Sequence, residues 1–369
     1  MITSLRVKGY RGIKNCELTN LSEVNIFIGR NNSGKSSLLE ALYLASAAFH
    51  YLEPLGRNND KIGFLLNRRC QRGLEWVQAK ETLWHGYDTI KPIEIEMKLT
   101  RDTELKISLL NWHYHPLIEL SPDIINQTSW APRNLICLTH SSIMHLEPET
   151  VLGIGKQFTL DLLDRALKKN SDEVKAFMEN FMFIDTSLIH EMERTEKTLW
   201  NDLLKERLDK LVTQVLRQGY ETDVEDITYV PYGNIYQLAI KLPKTTIRAD
   251  DLGDGARYSM IIVMIAALAK NTAILIEEPE NHQHPGGLTK SLEMLLTLVK
   301  QNNIQVFAST HSVEFMKLIG KIAQEKSIEI ANFFLERDKE GNVEPRRITP
   351  QDTNVLEKMG LDPRFLDVI

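Results

Sequence analysis

The run Gly29-Arg30-Asn31-Asn32-Ser33-Gly34-Lys35-Ser36 constrains the fold of this chain more than any other feature. It has the eight-position P-loop spacing, two glycines enclosing four residues with Lys-Ser directly after. Ser22 to Ile28 before it reads as an apolar strand, and Lys35 to Phe49 has the apolar spacing of a buried helix. In that order, backbone N–H groups from Asn32 to Ser37 can wrap a β-phosphate at the helix start. Lys35 can reach β and γ oxygens, and the Ser36 hydroxyl can ligate Mg²⁺. Asn31, Asn32, Ser33, Gly34, Lys35, Ser36 and Ser37 are therefore the candidate nucleotide-binding residues.

Three later segments acquire meaning from this loop. Ala273-Ile274-Leu275-Ile276-Glu277-Glu278-Pro279 is an apolar strand ending in adjacent carboxylates. Alone it could be a solvated strand end. In a parallel sheet it reaches the same edge as the P-loop, so Glu277 can hold Mg²⁺ through its water shell and Glu278 can orient an attacking water. Asn303 to Ala308 is a further strand, ending in Ser309-Thr310-His311-Ser312. This brings His311 to that edge, where it either contacts the γ-phosphate or the Glu278-bound water, or belongs to an ordinary helix cap. Leu252-Gly253-Asp254-Gly255-Ala256-Arg257 is a tight turn opening a helix. It is either a plain strand-to-helix turn or a second phosphate-binding helix start at Gly253, Asp254 and Gly255, used on the nucleotide of a partner subunit.

In this order, with a large insertion after the first, the four elements resemble the ABC-type ATPase head shared by RecF, the structural-maintenance-of-chromosomes proteins and the OLD (overcoming lysogenization defect) family. The wording of Leu252 to Arg257, of Glu277-Glu278-Pro279-Glu280-Asn281-His282-Gln283-His284-Pro285 and of Ala308 to Ser312 looks most like the OLD-related AAA ATPases. The resemblance covers roughly residues 1 to 48 and 227 to 335. It implies an α/β P-loop NTPase fold, an ABC-type head of mixed sheets flanked by helices, with an inserted helical lobe. It further implies a head-to-head homodimer holding two ATPs, each between the P-loop of one subunit and the turn of the other. Glu278 would then be general base, His311 the switch residue, and Arg11 in Gly9-Tyr10-Arg11-Gly12 a phosphate-contacting arginine. The family's first carboxylate is usually Asp, where this chain has Glu277. Gly253 stands where transporter-type heads have serine and Asp254 where they have glycine, so a trans contact would rest on backbone groups and helix polarity. Gln78 and Gln127 are available as the family's coupling-loop glutamine, and neither has distinctive surroundings.

The 369 residues allow about two domains' worth of chain, and both ends carry head motifs. The expected head is assembled from 1–49 and 227–349, with hairpin and helical lobes inserted at 50–226 and a capping segment at 350–369. Residues 50 to 92 read as a peripheral insertion. Ile93 to Thr100 and Glu104 to Trp112 read as a hairpin opening a second small sheet lobe. In the mostly helical stretch from Asp161 to Gln218, Leu199, Leu203, Leu208, Leu211, Val215 and Leu216 form one apolar stripe. Packing on its own domain and a coiled-coil seam both fit that stripe. Lys205-Asp209 and Glu206-Lys210 have favourable helical spacing. Ile328 to Leu335 and Val343 to Ile348 read as edge hairpin strands.

Composition removes several alternatives. Apolar residues at 43% and charged residues at 25% exclude wholesale disorder, and a formal charge of −6 excludes a global basic field for nucleic acid. Lys61, Arg68, Arg69 and Arg72 form the one suggestive basic cluster, read either as a DNA-binding patch or as a solvated insertion. Cys16, Cys70 and Cys137 are too few and too scattered for a disulfide framework and read as buried thiols. The charged, alternating amino terminus is not a signal peptide, and no apolar run reaches the roughly 20 residues that span a bilayer. A cytoplasmic protein without membrane association is expected. His113 with His115, and His282 with His284, are incomplete as zinc ligand sets. OLD members add a carboxy-terminal Toprim nuclease, for which too few residues follow His311. The first expectation is therefore an ATPase gating a separate effector of nuclease type, in defence against phage or plasmids. The alternatives are a RecF-like repair ATPase binding DNA directly and a nucleotide-dependent structural dimer.

Overall fold

The computed structural model describes residues 1–58, 60–69, 76–100, 103–111, 117–123, 134–139, 142–146, 171–220, 223–233 and 235–349. Arg72, Cys70, the histidines at 113 and 115, Gln127 and the capping segment 350–369 lie outside them.

The chain opens with β1 (Ile2–Tyr10), β2 (Ile13–Thr19), β3 (Val24–Ile28) and α1 (Lys35–Ser46). β1 and β2 form an antiparallel hairpin, with Tyr10 opposite Ile13 across the Arg11-Gly12 turn. Next come α2 (Lys61–Arg69), α3 (Trp76–Ala79) and the antiparallel meander β4 (Ile93–Leu99), β5 (Thr103–Leu110), β6 (Leu117–Asp123), β7 (Asn134–Thr139) and β8 (Ser142–Leu146). α4 (Ser171–Glu179) leads to β9 (Met182–Ile184), followed by α5 (Met192–Lys205) and α6 (Asp209–Gly219). β10 (Asp226–Tyr232), β11 (Ile235–Lys241) and β12 (Thr246–Arg248) make a small sheet of their own. The last part alternates: α7 (Asp254–Leu268), β13 (Ala273–Glu277), α8 (Pro285–Asn302), β14 (Gln305–Thr310), α9 (Val313–Lys326), β15 (Ile330–Arg337) and β16 (Asn342–Ile348).

One large mixed sheet organises the described residues, in the order β8-β7-β6-β5-β4-β1-β2-β16-β15-β3-β14-β13-β9. Its β15-β3-β14-β13-β9 half is parallel. Strands β3, β13 and β14 are buried residue by residue, as strands covered on both faces must be. One face carries α1, where Leu38, Leu39 and Leu42 share a core with Phe27, Ile95 and Phe333. The other carries α7, whose Met260 to Ala267 are all buried, in one core with residues of α5, α6, α8 and α9. A helix apolar on every side belongs in the centre of such a layer. Gln305 stitches the two halves: its Oε1 accepts from Ile2 N at 2.8 Å, and its Nε2 donates to Ile2 O and Ser22 O at 2.8 and 2.9 Å.

This is the α/β head expected from the motifs, with four differences. The hairpin at 93–110 is not a separate lobe, because β4 pairs along the free edge of β1 and extends the same sheet. β15 and β16 are not edge strands: β15 lies between β16 and β3, and β16 pairs with β2, joining the antiparallel wing to the parallel half. β9 occupies part of the stretch read as helical, and its three buried residues pair in parallel with β13. The middle of the chain thus supplies strands to the head sheet as well as lobes around it. The apolar stripe packs into its own core, as Leu199, Leu203, Val215 and Leu216 are buried there. Its helix breaks at Arg207, which takes a left-handed backbone (φ 57°). That break removes the expected cross-pairs. Lys205 instead donates to Asp202 at 3.0 Å, and Lys270 to Glu206. Cys16 is buried, its thiol pushed up to about 12 chiefly by that burial and then by Glu17. Among the described residues no helix is long and apolar enough to cross a membrane.

Candidate active site

Three parallel strands aim their carboxyl ends at one place. Thr310 of β14 pairs with Ile28 of β3, and Ser309 with Glu277 of β13. The loop after β3, the two carboxylates at the end of β13 and His311 after β14 therefore meet along one sheet edge, where ligands of α/β proteins bind.

The loop is shaped by its glycines. Gly29 has φ 155°, and a Cβ there would lie 2.5 Å from Leu335 O and 2.8 Å from Ser33 Oγ. Gly34, at φ 103°, caps α1 without any side-chain bond to the helix's first N–H groups. Those amides are donors with no intrahelical partner, oriented for an anion. Lys35 is buried beneath them, its Nζ donating to Gly29 O at 2.9 Å and Arg30 O at 2.7 Å. Burial pulls its pKa down to about 8, against the Glu278 and Glu277 carboxylates.

Glu277 and Glu278 are adjacent in sequence and different in setting. Glu277 is 5% exposed, and its Oε2 accepts from Arg68 Nη2. Its Oε1 is buried without a hydrogen-bond partner. Burial first, then Glu40 and Asp185, push its pKa up, while Arg68 and the Ser36 hydroxyl pull it down. Glu278 takes a left-handed backbone (φ 45°), with its N–H donating to Ser309 O at 2.9 Å. Its partly exposed carboxylate accepts from Asn281 Nδ2 at 2.5 Å and lies 3.5 Å from His311 Nε2. Glu280 ties the two strand ends together, accepting from Thr310 Oγ1 at 2.5 Å and His311 N at 3.4 Å.

The other expected residues are arranged differently. Arg11 does not offer its guanidinium to the loop. It is buried, with Nη1 2.8 Å from Glu40 Oε2 and Nη2 donating to Leu65 O at 2.5 Å. Gly253 and Asp254 are exposed at the start of α7, which has no side-chain cap. Gly255 packs so closely that a Cβ would lie 2.5 Å from His282 O. Tyr220 Oη donates to Gly255 O at 2.6 Å and lies 2.6 Å from Ser259 Oγ. Ser259 in turn donates to Gln283 Oε1 at 2.5 Å. The turn is thus fastened to the loop that follows Glu278. His284 caps α8, accepting from Gly286 N at 3.3 Å.

The sequence reading missed a buried network behind the carboxylates. Arg68 donates from Nη1 to Glu40 Oε1 at 2.7 Å and from Nε to Asp185 Oδ2 at 3.0 Å, besides its bond to Glu277. Arg57 reaches Asp185 Oδ1 at 2.7 Å and Glu53 Oε1 at 3.2 Å. Among its described members the basic cluster does not form one exposed face. Arg68 is spent on carboxylates, Lys61 is fully buried with Nζ donating to Ser46 Oγ and Glu179 O at 2.9 Å each, and of the described members Arg69 alone is half-exposed. The available signal was that Lys61, Arg68 and Arg69 share α2 with Ile62, Leu65 and Leu66, an amphipathic pattern.

Lys61 has a measurable consequence. Burial lowers its pKa to about 7, against Glu53 and Glu179. An unfolded lysine keeps its proton to about pH 10.4. Between about pH 7 and 10 the unfolded chain therefore binds more protons, and the folded state gains stability as pH rises. The cost of the buried charge is present in full below pH 7. Denaturant titrations should give a rising unfolding free energy from pH 7 to pH 9, and a smaller rise in Lys61→Met. An identical slope in that variant would assign the effect elsewhere.

The chain is similar to known proteins along most of its length. The family model described as AAA ATPase domain matches residues 1–115 and 156–316. The ATP/GTP phosphatase of Helicobacter pylori is 24% identical over 344 residues, covering 88% of this chain and 89% of that protein. The DNA replication and repair protein RecF of Acinetobacter baumannii is 24% identical over 362 residues, covering 84% and 91%. Among solved structures, a structural-maintenance-of-chromosomes head bound to the C-terminal winged-helix domain of ScpA has a TM-score of 0.50 at 12% identity, covering 95% of this chain and 98% of that one. That likeness concerns the fold alone. With the family model spanning most of the chain and the P-loop at the edge of its mixed sheet, the chain belongs to the AAA ATPase domain family, as a P-loop ATPase with an ABC-type head related to RecF.

Proposed function

We propose that this protein hydrolyses ATP with Mg²⁺ at composite sites formed when two copies meet head to head, and that the resulting cycle gates a separate effector protein. The observation that carries this reading is the convergence of Lys35, Glu277, Glu278 and His311 on one sheet edge, with Glu278 3.5 Å from His311. Asn31 to Ser37 bind the phosphates through backbone N–H groups, and Lys35 turns from its loop carbonyls to the β and γ oxygens. Ser36 and Glu277 fit Mg²⁺, since the unpartnered Glu277 Oε1 suits a metal-bound water. Held by Ser36 and Glu277, Mg²⁺ would supply positive charge to the bound phosphates. Glu278 accepts the proton of the water attacking the γ-phosphorus, and His311 holds the Glu278 carboxylate in position. The exposed start of α7, at Gly253 to Gly255, donates backbone N–H groups to the nucleotide of the other copy.

The likeness to the ATP/GTP phosphatase of Helicobacter pylori supports hydrolysis, and the head bound to ScpA supports a protein partner. Direct DNA binding, the RecF-like alternative, has less support because Lys61 and Arg68 are buried. A nuclease-type effector in defence remains the preferred partner class. Light scattering with saturating ATP and Mg²⁺ should give twice the monomer mass, together with phosphate release. A persistent monomer would sink the head-to-head reading, and absent phosphate release the enzymatic one. Salt-dependent DNA binding without a dimer would favour the alternative.

A further inference from the structure

Arg68 lies where the carboxylates of three elements meet. Glu40 comes from α1, Asp185 follows β9, and Glu277 ends β13. Arg68 itself comes from α2, and its Nη1, Nε and Nη2 each donate to a different one of them. Its side chain is 8% exposed, and its guanidinium carbon lies 4.6 Å from the centre of the Phe183 ring. The three carboxylates are not equivalent. Glu40 also has Arg11 and Arg69, at 2.8 and 3.0 Å, and Asp185 also has Arg57. Arg68 is the one cation recorded in ion-pair contact with Glu277 among the described residues.

Convergent buried carboxylates are hard oxygen ligands of the kind that take divalent cations. A guanidinium among them is permanently charged, with donors fixed in a planar fork. It occupies one oxygen of Glu277 and leaves the other, Oε1, without a partner. Among the described residues no group of three or more histidine, cysteine or acidic side chains is arranged to hold a metal ion by itself. What Glu277 retains is a single oxygen, Oε1, and a small divalent cation held by one carboxylate usually needs substrate phosphates to complete its shell.

We propose that Arg68 is a positioning residue that stands in for a cation among Glu40, Asp185 and Glu277, so that this site takes a divalent metal only together with a nucleotide. The proposal rests on the assignment of Glu277 and Ser36 as metal-side residues made above. Arg68 restrains Glu277 toward Ser36 and keeps the carboxylate trio from closing on a free ion. The position of α2, to which Arg11 is bonded through Leu65 O, thereby sets the metal affinity of the site.

Manganese binding followed by electron paramagnetic resonance tests this without turnover. Wild-type protein should show no Mn²⁺ binding below millimolar concentration without nucleotide, and clear binding with a non-hydrolysable ATP analogue. Arg68→Gln should bind Mn²⁺ without nucleotide at least ten-fold more tightly, and Arg68→Lys, which restores the charge, should return toward wild type. Micromolar Mn²⁺ binding by nucleotide-free wild type would overturn the proposal, and this arm needs no variant to fold. Equal nucleotide-free affinities in Arg68→Gln and wild type would overturn it as well. Glu277→Gln separates the two readings. If that variant leaves Mn²⁺ binding with the analogue unchanged, the metal assignment itself fails. If it weakens that binding while Arg68→Gln changes nothing, the role of Arg68 alone fails.

Discussion

Glu278→Gln is expected to lower steady-state phosphate release from ATP about 100- to 10,000-fold, the range associated with a positioned general base. The amide preserves the size of the side chain and a carbonyl oxygen for Asn281 Nδ2, which donates to Glu278 Oε2 at 2.5 Å. The backbone at 278, bonded to Ser309 O, gives the strand end no reason to move. Only the ability to take a proton is removed. Equilibrium binding of ATP should therefore persist, and the variant should accumulate as the ATP-bound dimer because the step that opens it is blocked. Phosphate release at the wild-type rate would assign the base elsewhere. Loss of nucleotide binding would mean that residue 278 shapes the phosphate cradle instead.

A second large effect concerns stability. Arg57 is fully buried, stacked 4.1 Å from the centre of the Phe64 ring and shared between Glu53 and Asp185. Its backbone N–H also donates to Glu53 Oε2 at 2.7 Å. Truncating it takes the guanidinium from buried Glu53 and leaves Asp185 with Arg68 alone, and breaking a buried pair costs about 3–5 kcal/mol. Arg57→Ala should lose that much in urea or guanidinium unfolding. Arg57→Ala combined with Glu53→Gln should recover part of the loss, because one orphaned charge is gone. A loss below about 1 kcal/mol, the value of an exposed pair, would mean that water reaches the network.

Legibility from sequence followed the range of the interactions. Gly29 to Ser36 is a local motif between a strand and a helix, so its geometry is written in consecutive residues. Glu277, Glu278 and His311 were reachable by one further inference, that parallel strands end on one side. Arg68 and Asp185 were not. Their meeting depends on the three-residue β9 reaching the edge of β13, and on α2 packing against α1. Neither arrangement leaves a periodic trace. The same short strand was lost within a helical reading because Met182 to Ile184 is too brief to show alternation. Arg11 shows the opposite failure: a local turn suggested a phosphate contact, and Glu40, from the following helix, captured the side chain.

The place of β3 between β14 and β15 bears on how the protein is made. β1, β2 and β3 leave the ribosome early, yet both neighbours of β3 are drawn from far along the chain, as is the Gln305 side chain that bonds Ile2. Until those late strands emerge, β3 has two open edges and the phosphate loop has no rigid floor. Such long-range pairing is slow and exposes strand edges while it waits. The floor of the ATP-binding loop is therefore a product of long-range pairing, complete only once β14 and β15 have joined β3.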